Sequence, residues 1–379
     1  YTLEVKLHTP TPWFPQMVSL SVLVALPQET IEKYGESWTN PEHLVSSGPF
    51  VLETYRLNDT MDFKKNEKHF DAKNTVLTKV HFDFINNPNT NYYKYLTGEY
   101  AITNIPVQFK RTVLNERPEE VVTLRNLGTY WLKFNTQKVT DPRVRTALGL
   151  LVNREVFTKQ ILGNHVPTAQ VPPPNVLDAE KVQQAPWLKA PQSENNKRAV
   201  ELLTQAGYSK DKPLVITLLQ TSGGNSGKYF VAMQGWYKQG TNGLVELKQE
   251  AVEARTVMQK VANGEYEFTI SGWIADYNQV TTFYNTFLCN SPLNEYRYCN
   301  PEFDKLVEQA NNENDVEKRR ELYAKANDVL MTDMPVAPLF NTESLVLKSP
   351  ALGGYNPNAQ QRYVNDYFFI EGQKAKGVK

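Results

Sequence analysis

Residues 214–272 read LVITLLQTSGGNSGKYFVAMQGWYKQGTNGLVELKQEAVEARTVMQKVANGEYEFTISG. Leu214–Leu219 is a continuous apolar run of strand length, Leu244–Gln249 is a second strand and Phe268–Gly272 a third. Between them, Lys228–Lys238 and Glu253–Ala262 carry helical spacing. This alternation predicts an α/β layer with parallel pairing, because parallel neighbours need a crossover long enough to hold a helix. Such sheets bind ligands beyond the carboxyl ends of their strands. The third run continues as Ser271-Gly-Trp-Ile-Ala-Asp-Tyr-Asn278, which puts Asp276 at such an end with Trp273 beside it. A carboxylate there can pair with a substrate ammonium in a partly desolvated site. It can equally cap a helix beginning near Val280, with Trp273 as core.

Outward from this stretch, Tyr1–Pro10 alternates as a strand and Pro27–Tyr34 reads as a short helix. A turn at Ser47-Gly-Pro-Phe50 leads into a strand, Val51–Leu57, followed by strands at Asp62–Asn66 and Val80–Ile85. Asn91–Thr97 is helical and Tyr130–Asn135 is an aromatic strand. Asp141-Pro142 makes an N-cap with proline at the first helical position, opening a helix Arg143–Val152. Val166–Pro191, rich in Pro and Gln, reads as a surface loop. Helices follow at Ser193–Ala206, from Asn300-Pro301 to Asn311 and at Asp315–Thr332, and Pro338–Leu347 is a last strand. The sequence shows neither internal repeats nor a low-complexity tract.

With 379 residues, two or three lobes are expected. Hydrophobic residues at 40% and charged residues at 22% supply enough burial for an ordered fold. Lys+Arg and Asp+Glu both count 41, so the chain lacks the cationic excess of a nucleic-acid binder. No run of 18 apolar residues is present to span a membrane as a helix. The chain opens at Tyr1 without a basic-then-apolar leader, so any signal peptide is either already removed or was never part of this sequence. YTLEVKL reads as the middle of a sheet, so upstream chain is expected.

The five histidines, His8, His43, His69, His81 and His165, fall in no metal-ligand spacing, and no metal or other cofactor is expected. No G-x-S-x-G elbow occurs, and no catalytic residue is assigned. Gly223-Gly-Asn-Ser-Gly227 follows a strand as a phosphate loop would, but Lys228 is followed by Tyr229 and the nucleotide-binding frame is broken. Cys289 and Cys299, ten residues apart, can close a disulfide in an oxidising compartment or remain two thiols.

Several stretches resemble the periplasmic oligopeptide-binding proteins. They are Ser271–Asn278, Gly128-Thr-Tyr-Trp-Leu-Lys-Phe-Asn-Thr-Gln-Lys138, Asp141-Pro-Arg-Val-Arg-Thr-Ala-Leu148, Ser46-Ser-Gly-Pro-Phe50, Thr97-Gly-Glu99 and Ala206-Gly-Tyr208. The resemblance runs in order from Tyr1 to about Phe369. It implies a two-lobed periplasmic binding protein of Venus-flytrap type, with residues 1–25 as a remnant of the family's extra small domain. Residues 26–127 and 351–379 would then build the first lobe and 128–350 the second, with further N-terminal chain expected. The implied function is that of a non-enzymatic, monomeric solute receptor that closes on a peptide and delivers it to the membrane permease of an ABC importer. The implied location is the periplasm, with a lipid anchor as an option. A murein peptide or haem is the alternative ligand, and a hydrolase on the same scaffold the outlying reading. Asp276 is implied to hold the ligand's α-ammonium, with Asn126, Gly272, Trp273, Ile274 and Tyr277 around it.

The departures also carry information. Relatives place cationic or phenolic partners for peptide carboxylates at positions corresponding to Ile270, Val261, Ser226 and Thr342, and a tryptophan at Ala251 or Ala254. Ligand carboxylates are therefore expected to find little counter-charge near Ile270, Val261 and Ser226, unless Arg255 or Lys228 supplies it. The family's usual cysteine pair would fall on Gly128 and Ile274.

Overall fold

A computed structural model describes residues 2–7, 11–355, 357 and 369–370. The chain divides into two compact units, Tyr1–Val18 with Arg125–Glu343 and Ser19–Leu124 with Ser344–Lys379. Most of the expected C-terminal return, 351–379, lies outside the described residues. So do Tyr1 and residues 8–10 of the expected first strand. Residues 2–7 form no strand and are exposed. Alternation alone does not make a strand, because its backbone groups need a neighbouring strand to pair with.

In the smaller unit, β1 (Phe50–Arg56), β2 (Thr60–Lys65) and β3 (Lys79–Asp83) form an antiparallel sheet in that order. His81 bridges it, with Nδ1 2.6 Å from Asp62 Oδ1 and Nε2 2.8 Å from Asp83 Oδ1. Hydrogen bonds to these two carboxylates push its pKa above the usual histidine range. Helix α1 (Pro88–Leu96) starts where Asn87 accepts the Asn89 N–H, and it buries Tyr92 and Tyr95 with Val113 and Leu347. A short β4 (Ile102–Asn104) pairs antiparallel with Val346–Lys348.

β5 (Val121–Phe134) leads into the larger unit, where a mixed sheet holds the core. Its other strands are β6 (Val166–Pro167), β7 (Leu214–Thr221), β8 (Val245–Val252), β9 (Phe268–Ile274) and β10 (Val336–Lys348). The order is β10-β5-β9-β7-β8, with β6 beside β10. The expected parallel layer exists, as β7 pairs parallel with both β8 and β9. β9 is also antiparallel to β5, which makes the sheet mixed. Helices α2 (Pro142–Leu150), α3 (Gln192–Gln205), α4 (Ser226–Gly240), α5 (Ala254–Asn263), α6 (Pro301–Asn311) and α7 (Val316–Asp333) complete the unit. Their starts follow the expected chemistry, with Asp141, Asn300 and Asp315 accepting backbone N–H groups at α2, α6 and α7.

Strand alternation gives this sheet two different faces. Leu132, Phe134, Leu214, Ile216, Leu218 and Phe268 lie on one face in the main core, with Met233 and Tyr237 of α4. On the other, Leu219 packs with Val261 of α5 and Tyr266.

The Val166–Pro191 segment differs from the surface loop expected of it. Thr168, Ala169, Gln170 and Val171 are buried. A buried loop needs partners for its backbone. Thr168 N–H donates to Leu339 O, Val171 N–H to Asn327 Oδ1 and Ala169 N–H to Gln184 Oε1.

Cys289 and Cys299 form a disulfide with Cα atoms 4.5 Å apart. A bridge closing so short a loop is expected to contribute about 2–3 kcal/mol. Reduction should therefore lower the urea midpoint, and alkylation without reductant should leave the intact mass unchanged. Two thiols alkylated on unreduced protein would rule the bridge out.

Candidate functional site

The site is built on β9. Ala275 N–H donates to Leu127 O at 2.7 Å, continuing the β5–β9 register in which Gly128 faces Ile274, Tyr130 faces Gly272 and Leu132 faces Ile270. In an antiparallel pair the bonded residues alternate. Ser271 and Trp273 therefore turn their backbone groups to β5, as Ala275 does, while Ile270, Gly272 and Ile274 turn theirs the other way. On that other side β7 pairs with β9 only at Phe268 and Thr269. Past Thr269 the edge of β9 has no strand partner among the described residues, and it runs open toward Asp276. Gly272 is required here, since a Cβ on it would lie 2.6 Å from Tyr130 Cδ2 and 2.7 Å from Thr129 O.

Asp276 does not cap a helix. The helical turn that follows is Thr281–Tyr284, its N-cap is Val280, and Gln279 Oε1 accepts the Thr281 N–H. Instead, Thr282 organises the carboxylate. Its Oγ1 accepts from Trp273 Nε1 at 3.2 Å and from Asp276 N–H at 3.1 Å, and lies 3.4 Å from Asp276 Oδ2. Thr282 is buried, whereas Asp276 and Trp273 are half-buried. The loop is tied down further along. Tyr277 is buried, with its hydroxyl 3.0 Å from Thr281 Oγ1, and burial pushes its pKa up. Asn278 N–H donates to Gln16 Oε1, and Gln279 Nε2 donates to Asp178 Oδ2, the carboxylate that Arg319 also holds.

The structure thus brings Ile270, Gly272, Trp273, Ile274, Asp276 and Tyr277 onto one strand and its exit. Asn126 is buried on β5, next to the Leu127 carbonyl that Ala275 uses. Ser226 stands at the first residue of α4, past the carboxyl end of β7. Val261 and Ile270, grouped by sequence as one apolar end of the site, pack into different clusters on opposite faces of the sheet. Adjacent strand residues alternate faces, which linear spacing from the tryptophan does not reveal. Both nevertheless border a concavity of about 500 Å³, together with Arg255.

Sequence reasoning missed two residues. Thr282 carried a readable signal only in its place six residues after Asp276. Gln220, at the carboxyl end of β7, is 7% exposed, and neither polar atom of its amide has a hydrogen-bond partner among the described residues. A polar residue closing the apolar run LVITLL was its signal. Among the described residues no His/Cys/Asp/Glu group could hold a metal ion, and no helix is long and apolar enough to cross a membrane.

The family model described as bacterial extracellular solute-binding proteins, family 5 middle, matches residues 1–295. The chain belongs to this family. It is 34% identical over 370 residues to the periplasmic oligopeptide-binding protein OppA of Haemophilus influenzae, covering 96% of this chain and 68% of that protein. It is 32% identical over 361 residues to the periplasmic murein peptide-binding protein MppA of Escherichia coli, covering 94% of this chain and 67% of the relative. Among solved structures, H. influenzae OppA in complex with RPPGFSPFR superposes with a TM-score of 0.86 at 32% identity, covering 96% of this chain and 72% of that one. These relatives are binding proteins, not enzymes. The family's cysteine pair, implied at positions 128 and 274, would sit on residues that are register partners here. Gly128 and Ile274 occupy those places, and the disulfide of this chain is Cys289–Cys299.

Proposed function

We propose that this chain is a periplasmic peptide receptor that holds the ligand's free α-amine at Asp276 and serves the membrane permease of an ABC importer as a monomer. The observation that carries this reading is the open edge of β9, ending at a carboxylate. An extended peptide adds to such an edge through its main chain, so Ile270, Gly272 and Ile274 would recognise the peptide backbone whatever its side chains. The half-buried Asp276, oriented by Thr282, would offer the ammonium a charge-assisted hydrogen bond. This fixes the ligand's direction, with the amine at Asp276 and the chain running antiparallel to β9. Gln220, Ser226 and Asn126 would supply polar groups around the strand, and Trp273 and Tyr277 would shape the amine end. A murein peptide, the ligand in the name of the 32% identical E. coli relative, would be held by the same main-chain chemistry.

The test is native mass spectrometry of protein purified without denaturation. Retained species are expected to have peptide masses and to fragment as amides, and murein peptides would be distinguished by mass. Haem or another non-peptide solute as the retained species, with no peptide bound at micromolar concentration in calorimetry, would overturn the proposal.

A further inference from the structure

We infer that Asp178 is a positioning residue for amine binding, acting on Asp276 through Gln279 and Thr282. The inference rests on the proposed reading that Asp276 holds the ligand's ammonium. Asp178 is buried, with a φ of 68°, a left-handed conformation that an aspartate tolerates better than most side chains. The fork of Arg319, from α7, grips its carboxylate, with Nε 2.8 Å from Oδ2 and Nη2 3.2 Å from Oδ1. Arg320 Nε lies 3.6 Å from Oδ1. These pairs tie Asp178 to the helix behind it. The remaining bond, from Gln279 Nε2 to Oδ2 at 3.0 Å, ties it to the loop that carries Asp276.

That bond sets an orientation. Gln279 is buried, and the two ends of its amide have nearly the same shape. The Asp178 carboxylate only accepts. The Tyr323 hydroxyl, 3.3 Å from Gln279 Nε2, already donates to Asn311 Oδ1 at 2.8 Å. Both neighbours therefore take Nε2, and Oε1 is turned to the Thr281 N–H. This starts the turn Thr281–Tyr284, whose N-cap, Val280, offers no side-chain acceptor. The chain on either side of Gln279 docks on the residue before Asp178. Leu177 N–H donates to Asn278 Oδ1 at 3.1 Å, and Val280 N–H donates to Leu177 O at 3.2 Å. One residue into the turn, Thr282 accepts from Trp273 Nε1 and Asp276 N–H, which leaves its own hydrogen for Asp276 Oδ2. The direction in which Asp276 meets an ammonium is thus set from Asp178. A charge-assisted hydrogen bond weakens when misaligned, so the loss should fall on the amine and spare the rest of the ligand.

The experiment is a double-mutant cycle by competition calorimetry on the 379-residue chain. The probes are carboxy-amidated tetra-alanine with a free amine and the same peptide acetylated. Asp178→Asn keeps the shape, suits the left-handed backbone and still accepts from Arg319, but its amide no longer dictates which way Gln279 turns. It is expected to lower the ratio of free to acetylated affinity about tenfold, a coupling common within one hydrogen-bond network. Gln279→Met leaves the Arg319 pair whole and should lower the ratio at least as far, which tests the same path should the first variant unfold. In the Asp276→Asn background neither substitution should change the ratio further. A structural brace would weaken both peptides in proportion, or act equally with and without the Asp276 carboxylate, and either result would overturn the role. If the native protein distinguishes the two peptides and both variants do so as sharply, the positioning role alone fails. If the native protein does not distinguish them, the amine reading fails and the positioning role falls with it.

Discussion

Replacing Asp276 by asparagine is expected to weaken a peptide with a free α-amine by about two hundred- to several-thousandfold. The substitution keeps the shape and the Thr282 contact but removes the charge. An ammonium held in a partly desolvated site would then lose its counter-ion, and breaking one side of such a pair costs about 3–5 kcal/mol. An N-acetylated peptide should bind the native protein poorly and be indifferent to the substitution. Thermal stability should hardly change, because Val280, not Asp276, occupies the N-cap of Thr281–Tyr284. Titration calorimetry of free and acetylated peptides against both proteins reads all of this. Equal affinity for the two peptides in the native protein would show that Asp276 holds no amine.

The largest effect on stability is expected at Arg154. Its guanidinium is buried and held by backbone carbonyls: it donates to those of Gly149 at 2.8 Å, Val152 at 3.3 Å and Pro338 at 2.7 Å, and its Cζ lies 4.2 Å from the Trp187 ring centroid. Burial pushes its pKa down to about 9. The carbonyls at the end of α2 and the start of β10 thus share one donor group. Arg154→Met would fill the space, but those carbonyls are backbone and cannot be removed with the side chain. Each buried acceptor left unpaired costs about 1–3 kcal/mol. A total loss of about 3–5 kcal/mol is therefore expected in urea unfolding. Arg154→Lys should recover only part of it, since one ammonium lacks the fork that reaches both elements. A change below about 1 kcal/mol would mean that solvent takes over those acceptors.

Much of the architecture was legible in the linear chain. The apolar runs at 214–219, 244–249 and 268–272 and the helical spacing between them are local properties, so the α/β layer and the helix caps at Asp141 and Asn300 could be read directly. The motif 271–278 was legible too, because a glycine, a tryptophan and an acid at the end of a strand form a chemical pattern within a few residues. Asp276 alone remained ambiguous between an anchor and a cap, since both roles ask for a carboxylate at the same place. The fold excludes the cap, by starting the helical turn at Thr281 with Val280 as its N-cap and putting Thr282 on the carboxylate.

What the sequence determined by itself was therefore the elements with strong local periodicity, the family and the acid that ends β9. Tertiary structure decided what depends on neighbours distant in the chain. Residues 2–7 alternate like a strand yet form none, because pairing is a property of two segments. Val166–Pro191 looks like surface loop, yet Thr168–Val171 within it are buried, because Leu339, Asn327 and Gln184 satisfy their backbone. The open edge of β9 belongs to the same class. It exists because β7 stays with β8 to Thr221 but leaves β9 after Thr269, a divergence between strands about fifty residues apart that no local pattern encodes.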